Sequence, residues 1–452
     1  MTSTDLHRTI EAVWRIESAR LVASLARLTR DVGVAEELAQ DALVAALEQW
    51  PRAGLPDNPA AWLMAAAKHR AIDRLRRRSL LGDKHRELEY ELRLADTNTD
   101  PQQLSDADFG DDLLRLMFTA CHPVLAPEAR VALTLRLIGG LSTEEIARAF
   151  LVPEPTLAQR IVRAKRTLSE AGVPFEVPRG AELSERLTSV LQVIYLIFNE
   201  GYAATAGDDW VRPALCEDAL RLGRMLAELA PREPEVHGLV ALMEIQASRL
   251  RARVDATGSP VLLLDQNRAR WDQMLIHRGL AALGHAARLN GAQPPAFAQF
   301  ALAPGPYVLQ AEIAACHARA LTAEATDWRR IAALYSALVV LMPSPVVELN
   351  RAVAVAMDAG PAAGLEIVDS LLDEPSLQSY HLLATVRGDL LERLERYDEA
   401  RAEFQRAAGL TSNTRERGLL NDRAARCGGT KRYPPTTKPQ DSGLLQDIAD
   451  AL

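Results

Sequence analysis

The sequence predicts an all-α protein, and three observations support this fold class. Apolar residues recur at helical spacing over most of the 452 residues, alanine and leucine are abundant, and the two-residue alternation of β-strands is rare. Hydrophobic residues make up 48% and charged residues 25% of the chain, which excludes a disordered or fibrous protein. The length exceeds what one compact core needs, so we expect several domains.

The first domain is predicted at residues 1–86. Helical spacing runs from Thr4 to Arg78 with a break between Pro51 and Pro59, which indicates three or four helices. The last of these helices is basic. The net charge of −8 argues against a protein that binds nucleic acid over its whole surface, but it hides this local cluster of Lys68, Arg70, Arg74, Arg76, Arg77, Arg78, Lys84 and Arg86.

An acidic linker is predicted at residues 87–112. Its nine acidic residues are accompanied by a single basic residue, Arg93, and Pro101 lies near its middle. A further helical domain follows at residues 113–172, and Pro174 and Pro178 mark its end.

The strongest local motif of this domain is a helix-turn-helix. Ser142 with Glu145 forms a capping box at the start of one helix, whose Ile146 and Ala149 should face inward. The second helix should begin near Pro155 or Thr156, and residues 156–168 contain no acidic side chain. Its predicted buried set is Leu157, Ile161, Ala164 and Leu168. Such a helix can enter a DNA major groove, although the pattern also fits a capped hairpin with a solvated basic face.

Residues 173–426 are predicted to form a helical extension of the tetratricopeptide type. Three segments resemble one another, and their leading residues Ala333, Gly364 and Ala400 are 31 and 36 residues apart, close to the 34-residue period of such repeats. The full sets are Ala333, Ala337 and Val340, then Gly364, Val368 and Leu371, then Ala400, Phe404 and Ala407. Residues 427–452 should form a flexible tail.

The chain carries little sign of catalysis, export or metal binding. Its four cysteines form no CxxC pair, and Cys121-His122 has no visible acid partner, so we expect neither thiol chemistry nor a disulfide framework. His277 and His285 lack a third ligand, and we expect no metal and no cofactor. The apolar runs are too short to span a bilayer, so we expect a cytoplasmic protein without membrane contact.

Two N-terminal stretches, Ala35–Pro51 and Asn58–Arg78, resemble region two of extracytoplasmic-function sigma factors of the sigma-70 family. The helix-turn-helix resembles region four of the same family, in the expected order. The resemblance implies binding to core RNA polymerase, through the β′ clamp helices and the β flap, and to promoter DNA. It further implies that the acidic linker threads through the active-site cleft of the polymerase, with a solvated spacer as the alternative.

The resemblance also implies roles for particular residues, by their position in these motifs. Glu37, Gln40 and Asp41 would face polymerase, with Leu38 and Trp50 supporting the helix pair. The −10 element would be bound by Trp62, Lys68, His69, Arg70, Arg74, Arg76, Arg77 and Arg78. The −35 element would be bound by Thr156, Gln159, Arg160, Arg163, Lys165 and Arg166. His69 stands where the family often has asparagine, and Trp62 is equally compatible with a core aromatic role.

The extension resembles that of one branch of the family in four segments, Leu196–Tyr202, Asp265–Asp272, Gly305–Gln310 and Asn350–Val355. Polar residues of the first two segments form a candidate ligand site, although buried pairs that orient helices are the commoner role for such residues. They are Asn199, Glu200, Tyr202, Asp265, Arg268 and Trp271. We therefore expect an unknown protein or small molecule to be a partner of the extension.

The function predicted from the sequence is that of an alternative sigma factor, which is not an enzyme and depends on its fused extension. A ligand-sensing helix-turn-helix regulator is the alternative, but it leaves the region-two motifs unexplained. A fused enzyme is disfavoured because the extension has no nucleophile-base set and no phosphate loop.

Overall fold

The computed structural model describes residues 3–79, 106–150, 152–203, 210–255, 260–291 and 304–428. These residues form α-helices and short 3₁₀ turns, and the only strand-like pairing among them is an isolated bridge between Val254 and Pro260. The predicted all-α fold class is confirmed. The chain divides into two compact units, Met1–Ile194 and Tyr195–Leu452.

The first unit begins with three helices that pack on one another. Their bounds are α1 Ser3–Thr29, α2 Val32–Ala53 and α3 Pro59–Ser79. The side chain of Asp31 caps α2 by accepting from the Val34 amide. The predicted break at Pro51 is wrong by a few residues, because Pro51 lies in the last turn of α2. The helix ends at Gly54, whose φ of 91° is readily available only to glycine.

Four further helices complete most of the first unit. They are α4 Asp106–Ala120, α5 Pro127–Leu137, α6 Thr143–Ala149 and α7 Glu154–Glu170. Helix α4 packs against α1, and α7 contacts both α2 and α5. Helix α4 begins inside the segment predicted as linker, and residues 80–105, with most of that segment, lie outside the described residues.

Helix α8, Ala181–Tyr202, follows the irregular residues 171–180 and contributes its first turns to the first unit. Arg186 is buried and donates from Nη2 to the Phe118 carbonyl at 2.9 Å. The Ser189 hydroxyl donates to the Cys121 carbonyl at 2.6 Å. These bonds satisfy carbonyl groups near the end of α4 that have no partner within that helix.

The second unit contains ten further helices among the described residues. The first five are α9 Pro213–Leu229, α10 Pro234–Ala247, α11 Gln273–Gly291, α12 Pro306–Arg319 and α13 Trp328–Leu341. The remaining five are α14 Pro345–Ala359, α15 Pro361–Ser370, α16 His381–Arg393, α17 Tyr397–Leu410 and α18 Thr414–Cys427. From α12 onward each helix packs against the next along the chain.

The three similar segments of the extension fall on α13, α15 and α17, every second helix. This spacing agrees with a repeat of two helices. The residues that define the third segment, Ala400, Phe404 and Ala407, are buried, but those that define the first segment are not. There the buried residues are Ile331, Tyr335 and Leu338, and Ala333, Ala337 and Val340 are exposed. Alanine lies on both faces of α13, so it does not indicate which face is buried.

The other predicted domain boundaries remain predictions. Most of the tail at 427–452 lies outside the described residues. Within the described part of the chain, no helix combines the length and apolar character needed to cross a membrane.

Candidate nucleic-acid interface

The helix-turn-helix has the predicted capping box. The Ser142 amide donates to Glu145 Oε2 at 2.7 Å, and the Glu145 amide donates to Ser142 Oγ at 3.0 Å. Ile146 and Ala147 are buried, whereas Ala149 is half-buried. The two reciprocal bonds satisfy donors that the first turn of α6 would otherwise leave open.

Helix α7 buries the predicted residues Leu157, Ile161, Ala164 and Leu168. The opposite face carries four of the predicted DNA-binding residues, all exposed at spacings of three and four. We call this set the recognition stripe, and its members are Thr156, Gln159, Arg163 and Arg166. With 17 residues the helix is about 25 Å long, so the stripe can lie along a major groove.

The two remaining predicted residues of α7 lie off the stripe. Arg160 is half-buried, and Lys165 forms an ion pair with Glu36 of α2. Arg166, on the stripe, pairs with Glu170 one turn later at 2.6 Å, but both side chains are exposed. Such a surface pair contributes little, so Arg166 can exchange it for a phosphate oxygen.

The predicted polymerase-binding residues lie on α2. Glu37 and Asp41 are exposed one turn apart, whereas Gln40 is half-buried and donates to Glu36 Oε1 at 2.7 Å. Glu37 accepts from Arg74 Nη1 of α3 at 2.8 Å, and the Glu37 side chain is exposed whereas that of Arg74 is half-buried. The structure therefore pairs a predicted polymerase contact with a predicted DNA contact through a bond that solvent weakens.

Trp62 of α3 packs edge-on against the buried Trp50 of α2, with ring centroids 5.4 Å apart. Trp62 is only half-buried, so its ring packs against the core and is also partly exposed to solvent. This position is compatible with both roles considered for the residue, core packing and stacking on an unpaired base.

The basic residues of α3 do not all face outward. His69 is exposed, Arg70 and Arg74 are half-buried, and Lys68 is half-buried beside α1. Burial, assisted by the neighbouring charge of Arg27, lowers the pKa of Lys68. Lys68 thus lies partly against the helical bundle and is not fully exposed to solvent. The side chains of Arg76, Arg77 and Arg78 lie outside the described part.

The candidate ligand site of the extension is only partly assembled. The Arg268 guanidinium stacks over Trp271 at 4.7 Å and donates from Nη1 to the carbonyls of His317 and Ala320 at 2.6 and 2.7 Å. Glu200 pairs with Arg212 instead, Asn199 is half-buried and Asp265 is exposed.

Two arginines that sequence reasoning missed complete this region. Arg253 lies over the Tyr202 ring at 3.9 Å, and Arg249 lies within 6.0 Å of both Tyr202 and Trp271. Both arginines are 1% exposed. One sequence signal could have predicted that they are buried. The two arginines lie one helical turn apart, directly after the almost wholly buried helix α10. Because the cluster is closed to solvent, its geometry favours the alternative of buried pairs that hold helices together.

Three of the cysteines are buried, and two of the histidines pack against each other. Burial raises the pKa of Cys121 to about 11 and that of Cys216 to about 12, so both thiols are protonated at neutral pH. His285 packs against His237 with ring centroids 4.4 Å apart, and no group of three metal-ligating side chains occurs among the described residues.

Comparison with protein families matches three parts of the chain. Residues 16–80 match sigma-70 region 2, residues 115–168 match sigma-70 region 4, and residues 186–287 match a family of unknown function, DUF6596. The two sigma-70 matches cover α2 and α3 and the helix-turn-helix described above.

The curated relatives include a match over most of the chain and several matches over its N-terminal part. An uncharacterized protein of Rhizobium meliloti is 44% identical over 403 residues, which are 88% of this chain and 91% of that protein. The ECF RNA polymerase sigma factor SigK of Mycobacterium bovis is 30% identical over 157 residues, 33% of this chain and 78% of that protein.

The probable ECF RNA polymerase sigma factor SigI of Mycobacterium tuberculosis is 27% identical over 173 residues, 38% of this chain and 58% of that protein. No solved structure matches the chain.

Proposed function

Because this chain belongs to the extracytoplasmic-function sigma factors of the sigma-70 family, we propose that it joins core RNA polymerase and directs initiation at a two-part promoter. The observation that carries the proposal is the presence, in family order, of an exposed acidic face on α2 and an exposed recognition stripe on α7. These surfaces suit a protein partner and DNA respectively.

On the polymerase side, Glu37, Gln40 and Asp41 would contact the β′ clamp helices, and the helix-turn-helix domain would contact the β flap. Glu37 and Asp41 present carboxylates to solvent, where they can receive basic side chains of a partner. The pair between Glu37 and Arg74 has to break for either group to act, and its exposure makes that inexpensive in free energy.

On the DNA side, the recognition stripe with Arg160 and Lys165 would read the −35 element. Trp62 and the basic residues of α3 would hold the melted −10 strand. Arginine suits base-edge and phosphate contacts because its planar fork donates two parallel hydrogen bonds. A partly exposed tryptophan anchored on Trp50 offers an unstacked base a rigid ring.

The extension would make the factor dependent on, or regulated by, a further partner, either a protein or a small molecule. Its helices bury their own apolar cores, and helical repeats of this kind form extended surfaces that bind partners. We expect this activity in the cytoplasm, where polymerase acts.

Run-off transcription with purified core polymerase tests the proposal. Core enzyme is incubated with genomic promoter fragments, with and without the full-length chain, and transcript starts are mapped. We expect defined starts only when the chain is present.

A ligand-sensing regulator, the alternative function, would bind duplex DNA without conferring starts on core enzyme. Defined binding to DNA together with no specific initiation and no sedimentation with core polymerase would contradict the proposal and favour this alternative.

A further inference from the structure

Helix α13 of the extension has two apolar faces. Its buried face, with Ile331, Tyr335 and Leu338, packs against the neighbouring helices α12 and α14. On the other face, every exposed residue from Ala333 to Leu341 is uncharged, and Val340 is 79% exposed. We call this second face the α13 stripe, and its members are Ala333, Ser336, Ala337, Val340 and Leu341.

The α13 stripe has the composition of a helix face that another helix covers. Surface helices ordinarily carry charged or polar residues on the side away from the core. Here the small residues Ala333 and Ala337 would let a second helix approach closely, and Val340 offers apolar contact area. These three residues also form the first of the similar repeat segments, whose counterparts in the third segment are buried. Within the described part of the chain they are exposed, so a segment that covers them has to come from outside that part.

Residues 444–452 lie outside the described part and have the matching pattern. Their apolar side chains recur at spacings that place them on one face of a predicted helix, with Asp447 and Asp450 on the other face. The apolar set is Leu444, Leu445, Ile448, Ala449 and Leu452. Nine residues form a helix about 13 Å long, and the stripe from Ala333 to Leu341 also covers nine residues. The two faces therefore agree in length and in apolar character.

The charges of the two surfaces are opposite. Asp447 and Asp450 make the segment acidic, and it contains no basic residue. The first turn of α13 carries Arg330, which shares the single carboxylate of Glu312 with Arg319 of α12, so one positive charge remains uncompensated. Both arginine side chains are about half exposed, and such pairs exchange partners at little cost. An acidic segment on the stripe is therefore attracted to this end of α13.

The connecting residues 428–443 are long enough to bring the segment to the stripe. From α13 to α18 each helix packs against the next, and packed helix axes are about 8–10 Å apart, so the five steps add up to at most about 50 Å. Sixteen extended residues span up to about 53 Å. The connection contains three glycines and three prolines, and its one large hydrophobic residue is Tyr433. This composition suits a linker.

We propose that segment 444–452 binds the α13 stripe of the same chain as a short amphipathic helix. The docked segment covers Val340 and Leu341, so that α13 is buried on two faces. A short helix has low affinity by itself, but the linker holds it at an effective concentration of about a millimolar. The same contact between separate chains lacks this advantage, which favours the segment over a second copy as the occupant.

Thiol labelling of Val340→Cys tests whether the stripe is covered. The full-length chain carries this substitution together with Cys427→Ser, because the other three cysteines are buried. We expect the labelling rate at position 340 to rise by roughly tenfold when the chain is ended after residue 442, since the tethered segment is then lost. Leu410→Cys is the matched control, because Leu410 is exposed on α17, and its labelling rate should not change.

A peptide of residues 441–452 distinguishes loss of the segment from damage to the fold. Added in excess to the shortened chain, this peptide should restore slow labelling at position 340. A shortened chain that labels fast at position 340 with and without the peptide, but also at Leu410→Cys, is unfolded. Its place is then taken by the full-length chain with Ile448→Asp, which puts a charge on the apolar face of the segment.

The charges are tested by Asp447→Asn combined with Asp450→Asn in the full-length chain. Labelling of Val340→Cys should become about twofold to fivefold faster, because the attraction to Arg330 is lost. Asp441→Asn removes a carboxylate from the linker and should leave the rate unchanged.

Disulfide trapping locates the segment directly. Val340→Cys with Ile448→Cys should form an intrachain disulfide under mild oxidation. Leu410→Cys with Ile448→Cys should form one much more slowly, although α17 is closer than α13 to the start of the linker along the array.

Three outcomes would overturn the proposal. Equal labelling rates at position 340 with and without the segment would show that the stripe is open in the full-length chain. Disulfides that join two chains, or protection that grows with protein concentration, would make a second copy the occupant. Equal disulfide yields at positions 340 and 410 would show that the segment has no preferred site. None of these measurements uses polymerase, so their result is independent of the proposed function.

Discussion

At the residue scale, the close approach of Glu235 to Gly305 explains why the segment Gly305–Gln310 begins with glycine. The Glu235 carboxylate accepts from the amides of Tyr307 and Val308 at 2.8 and 3.3 Å, so it caps the first turn of α12. A Cβ atom on Gly305 would lie 2.3 Å from Glu235 Cδ. Glycine is therefore required by the approach of a carboxylate from another helix, and not by its own φ of −74°.

Gly305→Ala should destabilise the extension by about 1–3 kcal/mol, because the added methyl group displaces Glu235 from two amides that then lose their acceptor. The change is measured by urea unfolding of the full-length chain, followed by the transition of the second unit. An unchanged midpoint would mean that Glu235 moves aside at no cost.

Gly284→Ala is the counterpart that should stabilise the extension. Gly284 lies within α11, and a Cβ there would meet nothing closer than Arg288 Nη1 at 3.6 Å. Alanine in such a helical position gains roughly 0.5–1 kcal/mol over glycine. The same unfolding measurement checks the sign, and a loss of stability would show that the packing around α11 is tighter than described.

Glu235 should also make the stability of the extension depend on pH. Burial raises the pKa of its carboxyl above the usual 4.5, against the lowering effect of the two amide bonds. A raised folded-state pKa contributes stability that is present below about pH 4.5 and is lost as the pH rises through the higher folded value. Relative to Glu235→Gln, which does not titrate, the natural protein should gain stability between pH 7 and pH 4.5. Equal pH dependence of the two unfolding midpoints would contradict this.

At the scale of the element, the helix-turn-helix was predictable because its determinants are local. The capping box spans four residues, and the buried set of α7 follows from one helical period. The position of Lys165 was not predictable in the same way, because its partner Glu36 is far away in sequence. A basic residue on a recognition helix shows the same local sequence pattern whether its side chain contacts DNA or another helix.

The recognition stripe makes different predictions for two neighbouring arginines. Arg163→Ala should weaken binding to the −35 sequence by about 1–3 kcal/mol and reduce sequence discrimination, because in the proposed orientation the exposed Arg163 would face the groove. Arg160→Ala should instead lower the slope of log affinity against log salt by about 1, as expected for a phosphate contact from the half-buried flank. Mobility-shift titrations of the full-length chain with core polymerase at several salt concentrations separate the two effects.

The control for these titrations is Arg329→Ala, which removes an exposed arginine from the second unit. If Arg160→Ala, Arg163→Ala and Arg329→Ala all bind alike, α7 does not enter the groove in the proposed orientation.

At the scale of the whole molecule, α8 determines where the chain can be divided. Arg186 and Ser189 bond to the carbonyls of Phe118 and Cys121, so the first turns of α8 complete the first unit. A fragment ending at residue 180 should therefore be less stable than one ending at residue 194, by about 2–5 kcal/mol. Urea unfolding of both fragments measures the difference, and equal stability would show that α8 adds nothing to the first unit.

The fragment ending at residue 194 is also the one suited to asking what the extension does. In run-off transcription we expect this fragment to be less active than the full-length chain, and we expect separately added extension to restore activity only in part. Equal activity of fragment and full chain would leave the extension as a docking module without a role in initiation.

The boundary between the two units could be predicted only in part from the sequence. Proline and glycine between residues 172 and 180 indicated a break, and the chain there is indeed irregular. The first turns of α8 pack with the preceding domain through Arg186. Its hydrogen-bond partner, the Phe118 carbonyl, lies 68 positions earlier in the sequence. Local patterns predict that a helix forms, but they do not predict what it packs against.

The end of the first unit at Ile194 has a consequence for synthesis of the chain. At about 5–20 residues per second, a ribosome needs on the order of tens of seconds to make the remainder of the protein. Helical units of this kind fold in milliseconds or less. The α1–α3 bundle and the helix-turn-helix domain can thus meet while the extension is still being translated. Contacts between these two parts, such as the ion pair between Glu36 and Arg136, can therefore form before the second unit has been synthesised.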